Sequence, residues 1–159
     1  MPIPITYLIG DATQPRTLEP VIIAHIVNDL GAWGAGFVLA LSRRWKTPER
    51  KYLHWAKGQT AEPFGLGRTQ FVEIDDRITV ANMCAQHGLR SAAHPVPLRY
   101  EALAECLDQV ADRALELSAE VHLPRIGCGL AGGTWAQVEP LLVAALGERD
   151  IPVFVYDLK

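Results

Sequence analysis

Two stretches of this chain share one order of parts: a short apolar strand, a glycine-rich loop and a helix. In the first, the run Val21–Val27 is followed by Asn28-Asp29-Leu30-Gly31-Ala32-Trp33-Gly34-Ala35-Gly36. That loop enters Phe37, Val38, Leu41 and Trp45 at helical spacing. In the second, Val121-His122-Leu123 leads into Pro124-Arg125-Ile126-Gly127-Cys128-Gly129-Leu130-Ala131-Gly132-Gly133. Thr134 and Gln137 then stand at the spacing of a helix-opening capping box. An almost unbroken apolar strand such as Val21–Val27 belongs at the centre of a sheet covered on both faces. A loop of bare N–H groups feeding a helix N-terminus favours an anion, most often phosphate. One such loop is equally a tight connection with no ligand. Two of them, leaving buried strands at one sheet edge, suit an elongated ligand with two phosphates. Neither common nucleotide fingerprint is present: there is no Gly-x-x-x-x-Gly-Lys-Ser/Thr, and Gly31–Gly36 is not Gly-x-Gly-x-x-Gly.

Strands and helices alternate along the rest of the chain, which gives an α/β layer fold. Ile3–Ile9 and Ile151–Tyr156 read as the first and last strands. Arg68–Ile74 and Arg77–Asn82 read as a hairpin turning at Asp75-Asp76, which makes the sheet mixed. Thr47 is expected to cap a helix with Pro48 at its first position. Leu98–Ser118 is the clearest helix: Leu103, Leu107, Val110, Ala114 and Leu117 form its apolar stripe, and Glu101, Glu105, Asp108, Asp112 and Glu116 its solvated face. Pro140 is expected to kink or restart the last helix. Met83–Pro97 reads as a long irregular stretch, of the kind that tends to be functional.

The 159 residues fit one domain, 1–159, with a sizeable core. No apolar run approaches the ~20 residues of a membrane span, and the N-terminus lacks the pattern of a signal peptide. A cytoplasmic monomer without a membrane partner is expected. A net charge of −3 argues against a large nucleic-acid surface. Cys84, Cys106 and Cys128 form no disulfide framework, and Cys84, His87 and His94 lack a paired tetrahedral spacing, so neither a metal nor a cofactor is expected.

Several residues carry two readings. Asp11, directly after the first strand, either accepts hydrogen bonds from a ligand or closes an Asx-turn. His25 lies inside a buried strand, as a core residue or as a proton-transfer group. Asn28 stands at a strand's carboxyl end, where ligand-binding side chains gather. Trp33 closes over a ligand or plugs a gap. Asp29 is a base or a helix cap. Cys128 is a small residue between glycines more readily than a nucleophile, because no base is supplied for it.

Taken in order, these pieces resemble the macrodomain family, which binds ADP-ribose. The resemblance rests on Thr6-Tyr7-Leu8-Ile9-Gly10-Asp11, Asn28 with Gly31–Phe37, Pro124–Leu130 and Val153-Phe154-Val155-Tyr156, and covers nearly the whole chain. The chain looks most similar to the branch of the terminal ADP-ribose protein glycohydrolases and yeast-type ADP-ribose-1″-phosphate phosphatases. This implies a three-layer α/β/α domain with a six-stranded mixed sheet. It places Gly10, Asp11 and Ala12 near the adenine, and Asn28 near the distal ribose. Gly34, Ala35, Gly36 and Phe37, with Gly127, Cys128, Gly129, Leu130 and Ala131, would surround the diphosphate, and Trp33 and Ile126 join the ligand-binding set.

Two departures bear on chemistry. The animal glycohydrolase of that branch uses a lysine and an aspartate where this chain has Gln86 and Ala131. The lysines here are Lys46, Lys51, Lys57 and Lys159, so a covalent lysyl intermediate from the loop after the fourth strand is excluded. The resemblance implies ADP-ribose and ADP-ribosylated proteins as partners. It leaves three functions to compare. One is a hydrolase of ADP-ribosyl Glu/Asp esters, with Asn28, Gln86 and His25 as its working side chains. The others are a non-catalytic reader and a phosphatase acting on ADP-ribose-1″-phosphate.

Overall fold

The computed structural model describes residues 2–158. Six strands, β1 (Thr6–Ile9), β2 (Val21–Asn28), β3 (Thr69–Glu73), β4 (Ile78–Gln86), β5 (Glu120–Pro124) and β6 (Val153–Asp157), form one sheet in the order β1-β6-β5-β2-β4-β3. All neighbours are parallel except β3, which pairs antiparallel with β4. Helices α1 (Phe37–Arg44) and α2 (Thr47–Ala56) cover one face. Helices α3 (Tyr100–Leu117) and α4 (Trp135–Ala145) cover the other. Alternation along β2 divides the core between the layers. Ile22 and Ala24 face α3 and α4, whereas Val21, Ile23 and Val27 face α1 and α2. Among the described residues no helix is long and apolar enough to cross a membrane.

Several boundaries differ from the sequence reading. β1 starts at Thr6 rather than Ile3, because the Ile3 N–H goes to the Gly147 carbonyl and Pro4 has none to give. β6 starts at Val153: the Ile151 N–H is spent on Leu146, and Pro152 lacks one. β4 does not stop at Asn82 but runs on through buried Met83, Cys84 and Ala85 to Gln86, carried by its pairing with β2. The irregular stretch is therefore shorter, and its base is closed. His87 N–H donates to Pro97 and Arg99 N–H to Ala85, while Leu98 N–H donates to Ala131 in the second glycine loop.

Helix ends differ as well. Thr47 lies inside α2 and gives no side-chain cap, and Pro48 is at its second position. The Thr134 hydroxyl donates to Gln137 Oε1 instead of accepting from its N–H, so the reciprocal box does not form. Leu117 is exposed where α3 ends in left-handed Ser118. α4 continues through Pro140, which is exposed like Ala136, whose carbonyl the proline leaves without its helical donor.

Candidate functional site

The carboxyl ends of β2, β4 and β5 bring three loops to one edge of the sheet. The two glycine loops meet there: a Cβ built on Gly36 would lie 3.7 Å from Leu130 Cδ1. Gly36 takes φ +81°, open to glycine at no steric cost, and from there the backbone turns into α1. Between the loops lies a cavity of about 240 Å³ lined by Ala35, Gly36, Phe37, Ile126, Gly127, Gly129, Leu130 and Ala131, with His25 and Gln86. A distal cavity of about 360 Å³ shares Gln86, Ala35 and Leu130 with it and adds Asn28, Gly34 and Arg90. A smaller one, about 110 Å³, shares Phe37 and Pro124 and adds Gly10, Asp11, Ala12 and Arg43. The three form one elongated cleft on the scale of small-molecule sites, roughly 300–1,000 Å³.

One arginine stands in each stretch: Arg43 at the Asp11 end, Arg125 in the middle and Arg90 at the far end. A chain of net charge −3 thus offers cations along its cleft. These arginines stand outside the set of residues expected at the ligand. Arg125 was findable, since it directly follows the end of β5, the kind of position that singled out Asn28. It is not wholly free: Asp157 pairs with it at 2.5 and 2.9 Å, and it lies 5.1 Å from the ring centroids of both Tyr7 and Trp135.

Asp11 closes an Asx-turn. Its Oδ1 accepts from the Thr13 N–H at 2.8 Å and the Thr13 hydroxyl at 2.7 Å. Burial alone would raise its pKa, but these bonds outweigh it and hold the carboxylate below its ordinary range.

Asn28 is buried and largely spent on its own loop. Oδ1 accepts from Leu30 N–H at 3.0 Å and Ala32 N–H at 3.1 Å, and Nδ2 donates to the Ala32 carbonyl at 2.8 Å. The Tyr52 hydroxyl donates to the Asn28 carbonyl at 2.6 Å and accepts from Gly31 N–H at 3.1 Å. Asn28 retains one Nδ2 hydrogen for a ligand.

Asp29 is neither a helix cap nor a free base. Its carboxylate takes His87 Nδ1 at 2.6 Å and Gly88 N–H at 2.8 Å, tying the β4–α3 loop to the end of β2. Burial opposes its ionisation, yet the Gly88 and His87 bonds hold its pKa below the usual value.

Two residues expected at the ligand are not among those that line the cleft. Trp33 does not line the cleft. It plugs a gap beneath it, with Nε1 donating to Ser42 Oγ at 2.8 Å and its ring on His25 and Tyr52. Cys128 turns its thiol onto the core and the Ile126 carbonyl, and burial pushes its pKa up, the wrong direction for a nucleophile. Among the described residues no group of three His, Cys, Asp or Glu is arranged to hold a metal.

Gln86 sits where the central and distal stretches join. Its Nε2 donates to the Gly88 carbonyl at 3.0 Å, and no hydrogen bond reaches its Oε1 among the described residues. His25 is 1% exposed, and burial draws its pKa down to about 4, the Asn82 bond offsetting only part of that effect. The imidazole is therefore neutral near pH 7.

That depression has a consequence for folding. Unfolded His25 titrates near 6.5, so the folded state's advantage is complete above that value and is lost as pH falls towards 4. The drop from 6.5 to about 4 corresponds to roughly 3 kcal/mol. Buried His122, also depressed, adds in the same direction. Urea unfolding between pH 7 and 4 should show this loss, and His25→Gln should flatten much of it. Equal slopes in both proteins would contradict the assignment.

No protein-family model matches the chain. A solved structure of a macrodomain protein from Streptomyces coelicolor is 53% identical, covers 97% of this chain and 99% of its own, and superposes with a TM-score of 0.86. The chromodomain-helicase-DNA-binding protein 1-like of Mus musculus is 34% identical across 96% of this chain, which spans only 17% of that protein's length. An ADP-ribose 1″-phosphate phosphatase of Lodderomyces elongisporus is 24% identical over 96% of this chain and 99% of its own. On the close, full-length match to the Streptomyces structure, the chain belongs to the macrodomain family.

Proposed function

We propose that the protein binds ADP-ribose along this cleft and hydrolyses the ester joining the distal ribose C1″ to Glu or Asp side chains of modified proteins. The observation that carries the reading is the meeting of two glycine loops over one elongated cleft with an arginine in each stretch. In this reading the adenine lies at Gly10–Ala12. Backbone N–H groups of Gly34–Phe37 and Gly127–Ala131 hold the diphosphate and polarise the site. The distal ribose lies between Asn28, through its spare Nδ2 hydrogen, and Gln86.

The C1″ ester is an activated acylal-like bond, so positioning supplies much of the barrier lowering. Gln86 Oε1 accepts a hydrogen bond from the attacking water. The water oxygen bonds to C1″, the bond from C1″ to the carboxyl oxygen breaks, and the carboxylate leaves. A phosphate oxygen of the ligand takes the water's proton. His25, neutral and buried, contributes as a hydrogen-bond acceptor rather than as an acid. The protein acts in this account as a monomer, in the cytoplasm.

A second reading, phosphatase action on ADP-ribose-1″-phosphate, is favoured by Arg90 at the distal end and by the name of the yeast relative. One assay separates the readings. The protein is incubated with an auto-ADP-ribosylated transferase and, separately, with ADP-ribose-1″-phosphate, and released ADP-ribose and phosphate are measured. Release from the modified protein is expected. Release from the phosphate alone supports the second reading, and binding without release from either supports a reader.

A further inference from the structure

Beneath the cleft a row of buried polar side chains crosses the sheet. Gln70 Nε2 donates to the Lys51 carbonyl at 3.0 Å, and a carbonyl can only accept. That fixes the Gln70 amide and leaves its Oε1 facing Asn82 Nδ2 at 3.0 Å. Asn82 Nδ2 also reaches the Pro48 carbonyl at 3.4 Å, so the Asn82 amide is fixed in turn. Its Oδ1 stands 2.5 Å from His25 Nε2, on the neighbouring strand in direct register. Only a protonated Nε2 can pair with that acceptor. A neutral imidazole carries one N–H, so Nδ1 holds a lone pair.

Nδ1 is buried and has no partner, which is uncommon for a buried polar atom. Trp33 and Phe37 pack on the ring with centroids at 5.4 and 5.8 Å, yet His25 lines the central stretch of the cleft. With Nε2 committed, Nδ1 is the ring nitrogen left to a ligand. The chemistry of the cleft calls for such an atom. Arginines and loop N–H groups serve phosphate oxygens, whereas the hydroxyls of a nucleotide sugar need acceptors. Among the side chains lining this stretch, Gln86 Oε1 and His25 Nδ1 are the uncommitted acceptors.

We propose that Asn82, backed by Gln70, is a positioning residue that locks His25 in the Nε2–H tautomer, so that Nδ1 accepts a hydrogen bond from a hydroxyl of the bound nucleotide sugar. This rests on the ADP-ribose reading above. Three groups act as one device: Gln70 orients Asn82, Asn82 orients the proton of His25, and His25 meets the ligand.

Long-range proton–nitrogen NMR on the labelled full chain at neutral pH reads the tautomer directly. The free protein should show a protonated Nε2 and a bare Nδ1. Saturating ADP-ribose should move the Nδ1 resonance upfield, as a bare ring nitrogen responds on accepting a hydrogen bond. Asn82→Leu should yield mixed tautomers and weaken ADP-ribose binding roughly three- to tenfold, the range of one neutral hydrogen bond. Asn82→Asp, which keeps an acceptor oxygen, should retain the Nε2 proton. A purely structural Asn82 would lower thermal stability in both variants without moving the proton. The proposal is overturned if the free protein carries the proton on Nδ1. It is overturned equally if Nδ1 stays still while the Gly36 and Gly129 amides shift with ligand. If no amide responds to ADP-ribose, the binding reading itself fails, and this device with it. The wild-type titration decides these points even if a variant does not fold.

Discussion

Gly129→Leu is expected to abolish ADP-ribose binding while leaving the protein folded. A Cβ built on Gly129 meets nothing within 4 Å, and its φ lies outside the left-handed range. Neither packing nor backbone strain therefore requires glycine there. Gly129 lines the central cavity between the two loops, so a leucine side chain enters the volume assigned to the diphosphate. Gly132 serves a different purpose: with φ +77°, an added Cβ would sit 2.3 Å from the Pro95 carbonyl oxygen, so backbone packing excludes any side chain. For Gly129→Leu, an affinity loss of at least ~100-fold is expected, with stability within about 0.5 kcal/mol of the wild type, as for a substitution that disturbs no packing. Calorimetry with ADP-ribose and urea unfolding measure the two quantities. Retained affinity would move the ligand away from the second loop. Loss of the fold would return Gly129 to a packing role.

The second large effect is catalytic. Gln86→Ala should reduce turnover of ADP-ribosylated protein by about 100-fold, the scale on which misplacing a reacting group such as the attacking water acts. Affinity for ADP-ribose should stay within about threefold. The split follows from geometry. Gln86 is held by its Nε2 on the Gly88 carbonyl, lines both the central and the distal cavity, and has no hydrogen bond to its Oε1 among the described residues. The two glycine loops that line the rest of the central stretch are untouched by the substitution. Single-turnover release and calorimetry give the two quantities. Unchanged turnover would remove Gln86 from the mechanism, and an affinity loss matching the rate loss would make it a binding residue only.

How far the sequence carried these conclusions depended on whether the determining interaction was local. The layered fold and the meeting of the loops followed from Val21–Val27, from the paired strand–loop–helix order and from family resemblance. Boundaries failed where a distant partner decided them. β4 reaches Gln86 because β2 pairs with it, although Met83-Cys84-Ala85 shows little strand preference of its own. The Asx-turn at Asp11 was among the readings because it is made within three residues. The fate of Asp29 was hidden, because His87 and Gly88 lie 58 and 59 positions away. Trp33 turned inward for a similar reason: its partner Ser42 lies on α1, and the gap it fills is built from β2 and α2. His25 was visible as a residue, but its protonation was not. That depends on Asn82 and Gln70, on strands whose register no local pattern announces.

Titration of the intact protein with ADP-ribose by calorimetry, alongside a thermal-melt series, probes the shared dependence of these expectations most directly. The account predicts saturable heat at one site per chain and a melting temperature that climbs with ligand concentration. Neither heat nor a shift at saturating ADP-ribose would contradict it.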